Sequence, residues 1–189
     1  LSCYLSDVKS AAISLVLFFS VVAAACTSAV RPDGGKGLLP VGAHVPALLA
    51  TDQRGAEVRL RGEGQPMLVY FYPRDGTPGC TREACAFRDS WDRYERAGLR
   101  VVGVSTDSVE RHRAFAAEHG LQFSLISDPD HAWSRAFGVG TFAGLDARVS
   151  FLISREGKVI KVYDDVDPGV HADEVLKDAE ALSVIAPAP

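Results

Sequence analysis

Between residues 67 and 163 the chain alternates between two periodicities, and this alternation limits its folds more than any other feature of the sequence. MLVYFY (67–72), LRVVGVS (99–105), FSLIS (123–127) and VSFLIS (149–154) are short runs of β-branched, aromatic and aliphatic residues, the pattern of strands buried on both faces. KVIKVY (158–163) alternates instead and follows the turn Arg155-Glu156-Gly157, so it should pair with the run before it as a hairpin. Helical patterns fill the intervals at 82–97, 109–119 and 131–137, and a last one follows Pro168 at about 172–182. Two βα units, a hairpin and a final helix predict an α/β domain with a central mixed β-sheet flanked by helices. Trp91, Tyr94, Trp133 and Phe137 should be core or pocket walls, and Tyr70 and Tyr72 should share one face of their strand with Phe71 on the other.

A thioredoxin-like fold satisfies that order of elements. Its chemistry concentrates at one junction, where the first long strand runs through Pro73-Arg74-Asp75-Gly76-Thr77-Pro78-Gly79-Cys80 into a helix. Cys80 should therefore lie on the first helical turn, where unpaired backbone N–H groups and the helix dipole favour negative charge on its sulfur. Pro78 has no N–H to donate, and Gly76 and Gly79 let the backbone turn tightly around whatever the sulfur attacks. Thr77 can offer its hydroxyl to the same small volume.

The stretch YFYPRDGTPGCTREACAFRD (70–89) resembles the active-site segment of peroxiredoxins, specifically the bacterioferritin comigratory protein or peroxiredoxin Q subfamily of the AhpC/TSA group. The family pattern Pro-x-x-x-Thr-x-x-Cys is matched by Pro73, Thr77 and Cys80, and the subfamily's second Cys, five residues on, by Cys85. ARVSFLI (147–153) is similar to the strand that delivers the family's catalytic Arg, which falls on Arg148, and the similarity runs over about residues 41–182. The resemblance implies a cofactor-free enzyme of antioxidant defence that reduces hydrogen peroxide and organic hydroperoxides. Cys80 attacks a peroxide oxygen and becomes a sulfenic acid, and Cys85 resolves it as an intramolecular disulfide. Arg148 is then the fixed cation beside the sulfur, Thr77 and backbone N–H groups align the peroxide, and Pro73 shields the sulfur from bulk water. It also implies a thioredoxin or thioredoxin-like reductant, and a monomer.

On an ideal helix the Cα atoms of Cys80 and Cys85 are roughly 8.6 Å apart. Disulfides rarely span more than about 7 Å. A disulfide between them therefore requires a helical reduced state and a locally unwound oxidised state. Arg74, Arg82 and Arg88 read as ordinary solvent or ion-pair residues, whereas Glu83 could cap the helix or hold an Arg. His44, His112, His119, His131 and His171 read as solvated residues on loops and polar helix faces, with no metal-ligand spacing among them or with the cysteines.

The rest of the sequence weighs against competing classes. A net charge of −4, without a polybasic run, argues against nucleic acid as a partner. A thiol–disulfide oxidoreductase would normally carry CxxC, and a copper-chaperone relative CxxxC with a placed His. The spacing here is Cx4C. A thioredoxin-like thiol–disulfide oxidoreductase and a noncatalytic binding lipoprotein on the same scaffold are the alternatives that stay open.

Residues 11–25, AAISLVLFFSVVAAA, are too short for a spanning helix but suit the apolar core of a signal peptide. They lead into Cys26 through small residues, resembling a bacterial lipobox with Ala23 where Leu is usual. The expected organisation is a signal peptide at 1–25, a lipid-anchored flexible linker at 26–39 beginning with lipidated Cys26, the domain at 40–182 and a loose tail at 183–189. The product would be an exported, membrane-anchored lipoprotein facing the periplasm or cell exterior. There thiols tend toward disulfides, so a thioredoxin-like donor on the same side is required.

Overall fold

The structure, a computed structural model, describes residues 30–61 and 64–185. A hairpin of β1 (Leu49–Thr51) and β2 (Glu57–Arg59) precedes β3 (Met67–Phe71), which leads into α1 (Pro78–Asp89) and α2 (Trp91–Ala97). Next come β4 (Arg100–Ser105), α3 (Val109–His119), β5 (Ser124–Ser127) and α4 (Ala132–Phe137). The small hairpin β6 (Thr141–Phe142) and β7 (Leu145–Asp146) is followed by β8 (Val149–Ile153), β9 (Val159–Tyr163) and α5 (His171–Ala181). The main sheet has the order β5-β4-β3-β8-β9. β3, β4 and β5 are parallel, and β8 and β9 are antiparallel additions, so the expected mixed sheet is present.

Period-two alternation along β3 sorts the core into two layers. Leu68, Tyr70 and Tyr72 pack with Phe87 of α1, Tyr94 of α2, Phe115 of α3 and Val175 of α5. Met67, Val69 and Phe71 pack on the other face with Trp133 and Phe137 of α4 and with Leu39, Val45 and Val58. The helical pattern at 82–97 proves to be two helices. The backbone leaves helical geometry at Ser90, whose N–H returns to the Ala86 carbonyl, and α2 is then held on α5 by the Tyr94 hydroxyl donating to the Ala172 carbonyl at 2.8 Å.

Both flanks of the domain are longer than composition implies. Arg31 donates to the carbonyls of Gly37 and Leu38, while Leu39 is buried with its N–H on the Phe137 carbonyl. The Gly-rich segment up to 39, expected as linker, is thus structured from Val30 onward: it folds back on itself through Arg31 and is seated against α4 at Leu39. Val184 and Ile185, expected in the loose tail, are buried in the α5 layer, because two apolar side chains gain more by packing there than by staying in water. The expected signal peptide, Cys26 and residues 186–189 lie outside the described residues.

Candidate active site

At the carboxyl end of β3 the chain passes through half-buried Pro73 and turns at Gly76, whose φ of +74° suits a residue without a Cβ. Thr77 is the N-cap residue of α1, and Pro78 occupies the first turn, where its missing N–H costs nothing. Cys80 follows on that turn, only 2% exposed, with a free thiol. The Thr77 side chain makes no capping bond; its hydroxyl donates to the Arg74 carbonyl at 3.1 Å. With its single proton used there, Thr77 Oγ1 faces any further ligand as an acceptor.

Arg148 stands immediately before β8 and reaches over to α1. Its Nη2 donates to Cys80 Sγ at 3.2 Å, and its Nη1 is paired with Glu83 Oε2. Gly79 makes room for this crossing: a Cβ there would sit 3.2 Å from Arg148 Nη2. Glu83 is fully buried, and its second oxygen, Oε1, has no partner among the described residues. Burial pushes its carboxyl from an ordinary 4.5 up to about 7, with Arg148 offsetting only part of that effect. Burial also opposes the charge on Arg148, but Glu83 and the Cys80 sulfur outweigh it and hold the guanidinium above its ordinary value. Of the two roles open to Glu83 in the sequence, holding an Arg is the one it occupies. A thiol on a helix's first turn, a fixed cation in contact with it and a carboxylate gripping that cation form an arrangement suited to a sulfur that attacks a polar bond and expels an anion.

Comparison with known proteins gives that arrangement a family. Residues 41–162 match the AhpC/TSA family model. The chloroplastic peroxiredoxin Q of Sedum lineare is 42% identical over 145 residues, covering 75% of this chain and 78% of that protein. The chain belongs to the AhpC/TSA family, in its peroxiredoxin Q/Bcp branch. Peroxiredoxin Bcp of Escherichia coli K12 is 42% identical over 147 residues, covering 73% of this chain and 94% of its own length. Among solved structures, the peroxidoxin BcpB of Mycobacterium tuberculosis superposes with a TM-score of 0.70 at 32% identity, covering 76% of this chain and 97% of that one. The Xanthomonas campestris bacterioferritin comigratory protein, described for alkyl peroxide reduction, gives 0.68 at 35%, covering 77% and 98%. As a peroxiredoxin the chain is a thiol-dependent peroxidase with an antioxidant role, and peroxide and a thioredoxin-like reductant are its reaction partners.

In this peroxiredoxin Cys85 is a free, half-buried thiol on the same uninterrupted helix as Cys80. Arg88, one turn further, lies close enough to Cys85 to interact electrostatically with its thiol, while pairing with Asp89 and donating to the His119 carbonyl at 2.9 Å.

Two histidines depart from expectation. His112 and His171 are fully buried, not solvated. His171 Nε2 bonds to Ser150 Oγ at 3.0 Å, and burial, reinforced by Arg148, lowers its ring to about 4. His112 lies with Asp75 and Tyr72 beneath the turn that precedes α1. Neither burial was readable from local sequence, because both nitrogens of His112 and Nε2 of His171 meet partners from other elements, while His171 Nδ1 is buried without a hydrogen-bond partner among the described residues. His131, half-buried, pairs with Asp146 at 3.1 Å, whereas His44 is exposed.

Proposed function

We propose that Cys80 is the peroxide-reducing thiol and Cys85 the resolving thiol of this peroxidase. The observation that carries the reading is the 3.2 Å bond from Arg148 to Cys80 Sγ at the start of α1, with Glu83 anchoring the cation from behind. Cys80 sulfur attacks one peroxide oxygen; the S–O bond forms as the O–O bond breaks, and the leaving oxygen takes a proton and departs as water or an alcohol. Arg148 and the N–H groups of the first helical turn face the charge that builds on that oxygen. Thr77 Oγ1, committed as donor to Arg74, accepts the proton side of the hydroperoxide, and Pro73 closes the sulfur from bulk water. The Cys85 thiol then attacks the sulfenic sulfur, water leaves, and a dithiol reductant returns the disulfide to two thiols.

The first turns of α1 unwind for that second step, since five helical residues hold the Cα atoms roughly 8.6 Å apart. Alkyl peroxide reduction by the Xanthomonas relative supports organic hydroperoxides alongside hydrogen peroxide. One equivalent of peroxide should convert the protein to a species 2 Da lighter, with a peptide linking Cys80 to Cys85, about one turnover being enough to see it. In Cys85→Ser the same treatment should leave a dimedone-reactive sulfenic acid on Cys80; dimedone labelling elsewhere would overturn the assignment.

We also propose that the protein is an exported, monomeric lipoprotein anchored through Cys26. The apolar run ending in small residues before Cys26 supports this. With the chain structured from Val30 onward, the three residues between Cys26 and Val30 span at most about 14 Å, which would hold the start of the structured chain close to the bilayer surface. Metabolic labelling with a palmitate analogue, lost in Cys26→Ser, is the corresponding test.

A further inference from the structure

The turn that presents Thr77 and Cys80 is held from beneath by a polar cluster that the chemistry above does not use. Asp75 is 2% exposed, and all of its polar groups are bonded. Its Oδ1 accepts from the Tyr72 hydroxyl at 2.7 Å, and its Oδ2 lies 2.7 Å from His112 Nδ1. Its N–H donates to Asp107 Oδ2 at 2.7 Å, and its carbonyl accepts from Arg111 Nη2 at 2.8 Å. Asp107 and Arg111 are themselves paired at 2.9 Å. His112, fully buried, places its other nitrogen 3.2 Å from the Ile126 carbonyl of β5. Three of the four groups bonded to Asp75 belong to α3 or to the loop before it, and His112 in turn reaches β5, so residue 75 is held against α3 and the sheet independently of α1. From there the chain has little slack, since Gly76 is confined to a left-handed turn and Thr77 is already the N-cap of α1.

Burying an imidazole and a carboxylate carries a cost in lost hydration that geometry and further bonds must offset. A well-packed apolar pair would fill the same space, but it would not hold residue 75 from four directions.

We propose that His112 is a positioning residue for peroxide reduction: with Asp75 and Tyr72 it forms a buried clasp that fixes residues 73–77, and through them Thr77 and the Cys80 end of α1, in the geometry that aligns the hydroperoxide. The inference rests on the reading of Cys80 as the peroxide-reducing thiol.

The clasp acts on alignment and not on the intrinsic reactivity of the sulfur, and this separates it from a merely structural role. Stopped-flow measurement on the full chain compares the rate of Cys80 with hydrogen peroxide, which needs alignment, with its alkylation by iodoacetamide, which does not. His112→Leu should slow the peroxide reaction by about tenfold or more, with alkylation within about twofold of the parent. Asp75→Asn should retain the larger part of the peroxide rate. Its amide can donate to His112 Nδ1 while His112 keeps its bond to Ile126, so the geometry survives without the charge. Tyr72→Phe removes one hydroxyl and keeps the packing, so it remains informative if His112→Leu fails to fold. It should lower the peroxide rate about threefold and leave alkylation unchanged. Unaltered peroxide rates in His112→Leu and Tyr72→Phe, parallel loss of both reactions, or an Asp75→Asn loss as deep as that of His112→Leu would overturn the clasp. A parent protein whose Cys80 does not react with peroxide would instead overturn the peroxidase reading, and the clasp with it.

Discussion

Replacing Glu83 by Gln should make the protein more stable and its peroxide reaction slower, with both differences growing as pH rises. The Glu83 carboxyl is buried, and its folded value is about 7 against an ordinary 4.5. Because the folded value is the higher one, the native state holds the proton longer than the unfolded state. The stabilisation this gives is complete below about pH 4.5 and is lost as pH rises through about 7. At about 1.4 kcal/mol per pH unit, keeping Glu83 ionised in the fold costs about 3 kcal/mol by pH 8, with the attraction of Arg148 already included. Glu83→Gln has no charge to bury. Urea denaturation should show parent and variant alike near pH 4.5, and the variant's midpoint higher by about 1–2 M at pH 8. The peroxide rate should move the opposite way, because the variant loses the carboxylate that grips Arg148. Above pH 7 the variant should be slower by about tenfold, and the two rates should converge as the parent's Glu83 takes up its proton. A stability difference that does not vary with pH, or a variant less stable than the parent at pH 8, would show that burial does not raise the Glu83 carboxyl.

Gly79→Ala places a Cβ 3.2 Å from Arg148 Nη2 and should displace the guanidinium from Cys80. A fall of several-fold in the peroxide rate, about one order of magnitude at most, with an unchanged melting temperature is expected in stopped-flow and thermal scans. Amide exchange compared between reduced protein and the Cys80–Cys85 disulfide should show new exposure confined to about residues 77–89, with β3 and α3 equally protected in both states. Equal protection of α1 in the two redox forms would contradict the unwinding step.

Much of the fold was legible because its strands are continuous apolar runs and its helices carry apolar positions at helical spacing. The β1–β2 hairpin escaped notice because three-residue strands separated by Asp52-Gln53-Arg54-Gly55-Ala56 contain too little alternation to register. The break at Ser90 was hidden for a related reason: Phe87 and Tyr94 are one heptad apart and share a face whether the helix is continuous or not. At the candidate site, Cys80 and Thr77 were readable from the strand–turn–helix junction alone, while Cys85 and Arg148 came from the family pattern. The pairing of Glu83 with Arg148 spans 65 residues and that of Asp75 with His112 spans 37, so both depend on how β3, β8 and α3 are brought together. Such contacts leave no periodic trace. A histidine on a mostly polar helix reads as solvated until the partners that satisfy both of its nitrogens are in place.

Whether Cys80 reduces peroxide is decided by mixing the purified, reduced protein with hydrogen peroxide and excess dithiothreitol or thioredoxin and following peroxide loss. The parent protein should consume peroxide over many turnovers, and Cys80→Ser should leave it at the level of the reductant alone. Peroxide left untouched by the parent, or consumed equally by Cys80→Ser, would rule Cys80 out as the peroxide-reducing thiol.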